Sequence, residues 1–372
     1  MKGLFLVFHG LEAHNGISKK IRYQKEALIE CGIDVRLCYF MIDEKGYHKR
    51  LVDNDIIDNY GKGIVAKLKK RTCYNSLFSY IKKNNIEFIY IRSFHNANPF
   101  IINFLKRVKK YGIKSLMEIP TFPYDHEYRN ASKSDKIQFA LDKIFRKNLA
   151  RYLYRIVTFS NDTTIFGVPT INLSNGINFK QIPLKTKRNN SKKHLHLIGV
   201  AEIHFWHGFD RVITGLANYY KKEQGIKVSF DIVGYGWEDL EQLKQLTKKN
   251  SLQDYITFHG PKTGPELDEL FDQTDMGIAS LARHRSHITH IKPLKNREYA
   301  ARGIPFVYSE IDDDFEGMPY VMKAPPDETP LDIKKVIDFF YNGNFAPLEI
   351  RKTIENKLSW KIQMEKVVRI LS

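Results

Sequence analysis

The sequence predicts an α/β protein built from two Rossmann-like domains, each an open sheet of parallel strands. Three observations carry that prediction. The chain has 372 residues, more than one ordinary hydrophobic core organises. Short runs of β-branched and aromatic residues alternate with amphipathic segments of helical length, the pattern of repeated βα units. A polar, basic run, LKTKRNNSKKH (184–194), interrupts the alternation, which then restarts.

LFLVF (4–8) reads as the first strand. The loop HGLEAHNGI (9–17) leads to Ser18, a side chain suited to capping the helix KKIRYQKEALIEC, and Gly32 ends that helix. DVRLCYF (34–40), FIYIRS (88–93), KSLMEI (114–119) and RIVTFS (155–160) follow as strands, with helices between them. In the second half HLIGVAE (196–202) is a strand and GFDRVITGLANYYKKE a helix. VSFDIVG (228–234) precedes GWEDLEQLKQLTKKN, and ITFHG (256–260) precedes ELDELFDQT. MGIASL (276–281) leads to HIKPLKNREYAARGIPFVYS (290–309). There a helix begins at Pro293 and stops at Gly303, and a strand starts at Phe306. The tail LSWKIQMEKVVRILS is a last amphipathic helix. The domains read as 1–180 and 194–350 with a basic linker at 181–193, and residues 351–372 are expected to cross back to the first domain. Ligands of such domains sit at the carboxyl ends of the strands, here in a cleft between the two.

The formal charge of +17 is unevenly spread. Residues 1–180 hold 31 Lys and Arg against 16 Asp and Glu, leaving 28 against 26 in the remainder. The first half is therefore attracted to an anionic surface: nucleic acid, anionic lipid or a polyanionic substrate. Cys31, Cys38 and Cys73 have no paired spacing, which fits a reducing compartment and argues against zinc. No run approaches the ~18 apolar residues of a membrane span. MKGLFLVFHG reads as a strand rather than a signal peptide, so a cytoplasmic protein is expected.

The loops after the strands carry the candidate chemistry. Gly10 to Gly16 is either an anion-favouring helix start or an ordinary turn, and it lacks the GxGxxG fingerprint. MEIPTFPYDHEYR (117–129) presents Glu118, Asp125, His126 and Glu127, which either orient hydroxyls and move protons or form a solvated acidic loop. SNGIN (174–178) is a turn. VAEIHFWHGFDR (200–211) offers His204, His207 and Arg211 to phosphate. Gly234 and Gly236 in VGYGWED let backbone approach something flat or charged. Arg283 and Arg285 form a mobile basic segment. His284, His287 and His290 do not make a convincing metal set. EIDDDFEG (310–317) reads as a solvated loop rather than a metal site. Lys295 and Glu298 lie three residues apart, on one helical face.

Taken in order, NGI (175–177), WHGFDRVI (206–213), DIVGYGWEDLEQL (231–243), FHG (258–260) and LKNREYAARGIPFVYS (294–309) resemble the blocks of the retaining family 4 glycosyltransferases. EIPTFPYDHEY (118–128) is similar to a subgroup from bacterial surface-polysaccharide clusters. The resemblance covers nearly the whole chain and implies the two-domain GT-B fold. It implies a nucleotide-sugar donor, a glycan or lipid-linked acceptor, and no metal or other cofactor. By it, donor-binding residues are Gly16, His207, Arg211, Gly234, Gly236, His290, Lys295 and Glu298. Glu298 would hold the ribose hydroxyls and Lys295 a phosphate. Glu118, Asp125 and Glu127 are the catalytic candidates. Three positions depart from the family pattern: Glu202 and His207 stand where an Arg and a Lys are usual, and His290 where a second glutamate is.

The basic first half then has a reason. KIQFALDKIFRKNLARYLYR (136–155) mixes cations with Phe139, Phe145, Tyr152 and Tyr154, as an interfacial helix would, and VAKLKKR (65–71) adds charge. The expected partner is the anionic inner leaflet, not nucleic acid, with the enzyme peripheral at that membrane. Two rival readings are a nucleotide-sugar 2-epimerase of the same architecture and a non-enzymatic polyanion-binding protein.

Overall fold

The structure is a computed structural model that describes residues 1–12, 16–125, 132–186, 193–222 and 225–372, without the side chains of 133 and 134. Two compact units emerge. The first comprises Met1–Ser174 with Trp360–Ser372, and the second Asn175–Ser359.

The first unit is built on β1 (Lys2–Leu6), β2 (Asp34–Ile42), β3 (His48–Val52), β4 (Asp55–Asn59), β5 (Phe88–Arg92), β6 (Lys114–Ile119), β7 (Arg155–Thr158), β8 (Thr164–Ile165) and β9 (Val168–Asn172). Their order in the sheet is β4-β3-β2-β1-β5-β6-β7-β9-β8. The strands from β2 to β9 in that order are parallel, as expected. The edges are not: β3 and β4 form an antiparallel hairpin on β2, and β8 runs antiparallel to β9. Every residue of β5 is buried, because helices cover both faces of the central strands. Those helices are α1 (Gly16–Glu30), α2 (Gly63–Thr72), α3 (Asn75–Lys83), α4 (Pro99–Lys110) and α5 (Lys133–Ala150). Asn98 caps α4, accepting from the amides of Phe100 and Ile101, with Pro99 at its first position.

The second unit has a wholly parallel sheet in the order β12-β11-β10-β13-β14-β15. Its strands are β10 (His194–Glu202), β11 (Lys227–Tyr235), β12 (Ile256–Gly260), β13 (Met276–Ile278), β14 (Phe306–Tyr308) and β15 (Val321–Lys323). The helices are α6 (Phe209–Lys222), α7 (Glu238–Lys249), α8 (Pro265–Gln273), α9 (Leu294–Arg302), α10 (Ile333–Asn342) and α11 (Pro347–Glu355). The last helix, α12 (Trp360–Leu371), packs on α1 and so belongs to the first unit.

The boundary falls at Ser174, ahead of the 180 read from sequence. Residues 181–186 of the expected linker are not a free tether. The Lys185 amide donates to the Arg302 carbonyl at 2.9 Å, and the Thr186 amide to Asp272 at 2.7 Å. Residues 187–192 of that run lie outside the described residues. Among the described residues, no helix is long and apolar enough to cross a membrane.

Candidate functional site

In the second unit, charged and polar side chains converge where β10, β13 and β14 end. After β10 the chain makes a short 3-10 turn, Phe205–His207. The amide of His204 donates to Nδ1 of His207 at 3.0 Å, so the ring proton sits on Nε2. His207 is buried, and that burial holds it well below the ordinary histidine value, with Lys295 and Arg283 adding to the effect. The ring is thus a neutral N–H donor beside two cations.

The start of α9 supplies the second element. This helix is anchored by its own polar side chains rather than by apolar ones. Arg297 is wholly buried, ion-paired with Asp312 and Asp314, and donates to the carbonyls of Asn175 and Pro293 at 3.2 Å each. Asn296 donates to Asp312 at 3.1 Å, and the Tyr299 hydroxyl to the Ile278 carbonyl at 3.0 Å. So fixed, α9 drives Lys295 inward. Its Nζ is fully buried, lies 5.8 Å from the centre of the Phe209 ring, and has no hydrogen-bond partner among the described residues. Burial, and to a lesser extent Arg283, push its pKa down to about 7 against the opposing pull of Glu310.

Glu310 follows β14 and is 2 % exposed. Neither carboxylate oxygen has a partner among the described residues beyond its own backbone amide. Burial raises it to about 7 against the pull of Arg283 and Lys295. Sequence reasoning missed this residue. From sequence the run 310–317 reads as a solvated loop, yet Asp312 is also fully buried and Glu316 accepts from Tyr308 at 2.7 Å and Lys323 at 2.9 Å. The run is a folded brace for α9. The signal lay in Asn296 and Arg297, two polar residues on a helix that had to be buried.

Lys295 and Glu298 are not brought together. Glu298 Oε1 accepts from Arg302 at 3.2 and 3.0 Å, and Arg302 also reaches Asp268 on α8 at 2.7 Å. Oε2 takes no hydrogen bond among the described residues. His290 is exposed and joins Ile311 by a backbone bridge, on the rim of the loop after β14.

Other expected ligands serve the fold. Arg211 is 2 % exposed and donates to the carbonyls of Thr329 (2.7 Å), Pro325 (3.0 Å) and Leu281, which leaves it no face for phosphate. Arg285 is not in a mobile segment; it is held by Asp210 at 2.8 and 3.0 Å, by the Phe205 carbonyl at 2.8 Å and by Glu328. Gly234 and Gly236 do admit a close approach, but to the chain's own backbone. Gly234 has φ of +138°, and a Cβ there would stand 1.7 Å from the Ala201 carbonyl oxygen; at Gly236 it would stand 2.9 Å from that of Ile203. The same tight loop leaves Tyr235 and Trp237 exposed. Among the described residues no group of three or more His, Cys, Asp and Glu is placed to hold a metal ion.

In the first unit, Gly16 opens α1 with nothing within 4 Å of a notional Cβ. Ser18 lies inside that helix rather than capping it, and its hydroxyl accepts from the Glu12 amide at 3.1 Å. Glu118, at the end of β6, is fully buried. It accepts from Gln24 and Tyr90 at 2.6 Å each, pairs with Lys20 at 3.2 Å and is bonded to Arg92. Burial alone would raise its pKa; Lys20, Arg92, Tyr90 and Gln24 together bring it to about 2. A carboxylate so satisfied is no proton acceptor, which corrects its reading as a catalytic base. Asp125 is likewise gripped by Arg146 at 2.7 and 3.3 Å and by Lys143 at 3.5 Å, which lowers it. His126 and Glu127 lie outside the described residues.

Three of the four aromatic residues expected at a membrane interface are inside instead: Phe139 is core, and Phe145 and Tyr152 pack against that core, while Tyr154 is half-buried. The outward face of α5 is aliphatic, with Ile137, Leu141 and Ile144 at 66, 44 and 68 % exposure. Exposed Lys136, Lys143 and Lys147 flank it. On α2, Ile64, Val65 and Leu68 are exposed among Lys67, Lys69 and Arg71.

No protein-family model matches the sequence, and a comparison with curated proteins finds none that matches. Solved structures do match. Sucrose-phosphate synthase from Thermosynechococcus elongatus aligns over 100 % of this chain and 98 % of its own, with a TM-score of 0.71 at 14 % identity. A glycosyltransferase from Rickettsia africae aligns over 100 % and 97 %, with 0.65 at 13 %. HepE from Anabaena, in complex with UDP and glucose, aligns over 100 % and 99 %, with 0.62 at 13 %. The fold is theirs, the GT-B fold expected from the sequence.

Proposed function

We propose that the protein is a retaining glycosyltransferase that moves a sugar from a nucleotide-sugar donor to a hydroxyl of a glycan, a lipid-linked intermediate of surface-polysaccharide synthesis. The observation that carries this reading is the buried, unpartnered ammonium of Lys295 at a helix start, beside Arg283 and the N–H of His207. Three positive or donating groups from three elements, at the carboxyl edge of a parallel sheet, suit a diphosphate. The GT-B fold supports it, and the UDP and glucose in HepE's structure supply the ligand class.

In this reading the second unit binds the donor. Lys295 replaces the cation missing at 207, reaching the diphosphate from α9 instead of from the loop after β10. Oε2 of Glu298 accepts from the ribose diol, while Arg302 steadies Oε1. As the glycosidic bond breaks, negative charge grows on the departing diphosphate. Preorganised cations in a site shielded from water stabilise it most there, so they accelerate the step itself. No metal is required for that neutralisation. Glu118 and Asp125 are engaged elsewhere, which favours attack on the same face with the departing phosphate taking the acceptor's proton. The first unit receives the acceptor, and the aliphatic, lysine-flanked faces of α5 and α2 rest on an anionic inner leaflet.

The test is thermal stability against UDP, GDP, ADP and their sugars, for the wild type, Lys295→Met and Glu298→Ala. A ligand at ~100 times its dissociation constant adds about 2.7 kcal/mol. One nucleotide should stabilise the wild type, with the effect lost in Lys295→Met and weakened in Glu298→Ala. Stabilisation by none of them would sink the reading.

A further inference from the structure

The hairpin β3–β4 gives the first sheet an exposed face. Cross-strand partners share a face and successive residues alternate. Phe40, Arg50 and Asp58 therefore form one row across β2, β3 and β4, and Met41, Lys49 and Asn59 form the next row on the opposite face. The first row is closed off. Phe40 and Arg50 are buried, Arg50 pairs with Asp58 at 3.0 Å, and the Lys70 ammonium of α2 lies 4.4 Å from the centre of the Phe40 ring. The second row borders a groove of about 650 Å³, completed by Ile42, Tyr47 and the turn residues Asp43, Glu44 and Lys45. That volume falls within the ~300–1,000 Å³ of small-ligand sites. The groove lies at the carboxyl end of β2, a strand parallel to β1, and so on the rim where ligands of such sheets sit.

The lining is preorganised. Oδ1 of Asp43 accepts from the amides of Lys45 at 3.0 Å and Tyr47 at 2.9 Å, and Oδ2 pairs with Lys49 at 2.7 Å. Oδ1 of Asn59 accepts from the Gly61 amide at 3.1 Å, which leaves its NH2 group as a donor. The Lys62 ammonium stands 4.5 Å from the centre of the Tyr47 ring. The lining is also matched in charge, two acids to two lysines. By contrast, the sequences of α2, α3, α4 and α5 hold 15 Lys and Arg against Asp135 and Asp142. A polyanion or an anionic bilayer is drawn to those helices, so the groove suits a ligand without charge. Met41 and Ile42, 37 and 62 % exposed, and the Tyr47 ring offer apolar surface beside carboxylate acceptors and ammonium and amide donors. A pyranose ring matches that mixture: its C–H face packs on apolar side chains while its hydroxyls both donate and accept. We propose that the groove is a binding subsite for an uncharged oligosaccharide. Its size favours several linked sugars over one, and the fixed turn lowers the cost of ordering the site. Identifying that oligosaccharide with the acceptor's glycan rests on the transferase reading above; the subsite itself does not.

The probes are maltotriose, cellotriose and triacetylchitotriose, each with its monosaccharide, and a sulfated maltotriose, followed by saturation-transfer NMR and calorimetry on the full chain. At least one neutral trisaccharide should bind the wild type, about tenfold or more tighter than its monosaccharide and more tightly than the sulfated sugar. Ile42→Glu and Tyr47→Ala should each weaken that binding about tenfold, and Tyr47→Phe should retain it. Ile42 is exposed, so Ile42→Glu keeps the fold and decides the matter should Tyr47→Ala not fold. Binding of no neutral trisaccharide, equal binding by wild type and Ile42→Glu, or a preference for the sulfated sugar overturns the inference. Trisaccharide binding that Ile42→Glu weakens, without stabilisation by any nucleotide, supports the subsite and removes the transferase reading. Stabilisation by a nucleotide without trisaccharide binding does the reverse.

Discussion

Replacing Glu118 by Gln separates a structural carboxylate from a catalytic one. In the folded chain Glu118 is held at about 2 against a usual 4.5, which corresponds to about 3 kcal/mol. Breaking a buried ion pair by removing one partner costs about 3–5 kcal/mol, so the two routes agree. For a unit of this size each kcal/mol moves Tm by about 2–4 °C, and the variant should melt roughly 6–12 °C lower at neutral pH. Because the folded value is depressed, the contribution is complete above the unfolded value and is lost as pH falls from about 4.5 towards about 2. At pH 3 the gap between wild type and variant should therefore shrink to about 1 kcal/mol. Scanning calorimetry at both pH values reads this directly. A Glu118→Gln protein that melts like the wild type but has lost turnover would refute the reasoning and return Glu118 to the catalytic set.

Gly234→Ala should destabilise by about 2–5 kcal/mol in urea unfolding, because left-handed strain and a clash with the Ala201 carbonyl add. Arg211→Met strands buried carbonyls of Thr329, Pro325 and Leu281 and should cost about 3 kcal/mol or more. If Arg211 is structural, the nucleotide affinity of the molecules that remain folded stays unchanged. Ile137→Ser/Leu141→Ser/Ile144→Ser should lose co-sedimentation with anionic vesicles while keeping the wild-type Tm within about 2 °C, since these side chains are exposed. Equal sedimentation of wild type and variant would dismiss α5 as a docking face.

The sheet was legible because buried parallel strands are continuous apolar runs. KSLMEI (114–119) coincides residue for residue with the buried β6. ITFHG (256–260) coincides with β12, an edge strand in which Ile256 alone is buried, so there it was the flanking turn residues that showed it. The hairpin β3–β4 was not, since HKRLVDNDIIDN carries its polar residues on an edge and shows no clean alternation. Lys295 was visible as a cation at a helix start, but not what surrounds it. Glu310 is fifteen positions away, and only the return of the chain along β14 brings it back. Arg211 and Glu118 misled for a shared reason. A charged residue after a strand looks alike in sequence whether it faces a ligand or a buried counter-charge, and only the partners distinguish the two.

The place of α12 has a consequence for biosynthesis. The second unit is one continuous stretch, and the chain enters and leaves it side by side, where the Ile177 amide meets the Leu358 carbonyl at 2.7 Å. The first unit is split around it. Its sheet can assemble early on the ribosome, but Trp360, whose ring lies 5.5 Å from the Lys20 ammonium, is translated only after every residue of the second unit. Until then the cluster of Lys20, Arg92 and Glu118 lacks one of its walls, and α1 keeps an apolar flank open to water. By its continuity the second unit is the piece expected to fold when excised; the first is expected to wait for the ribosome to finish its insertion.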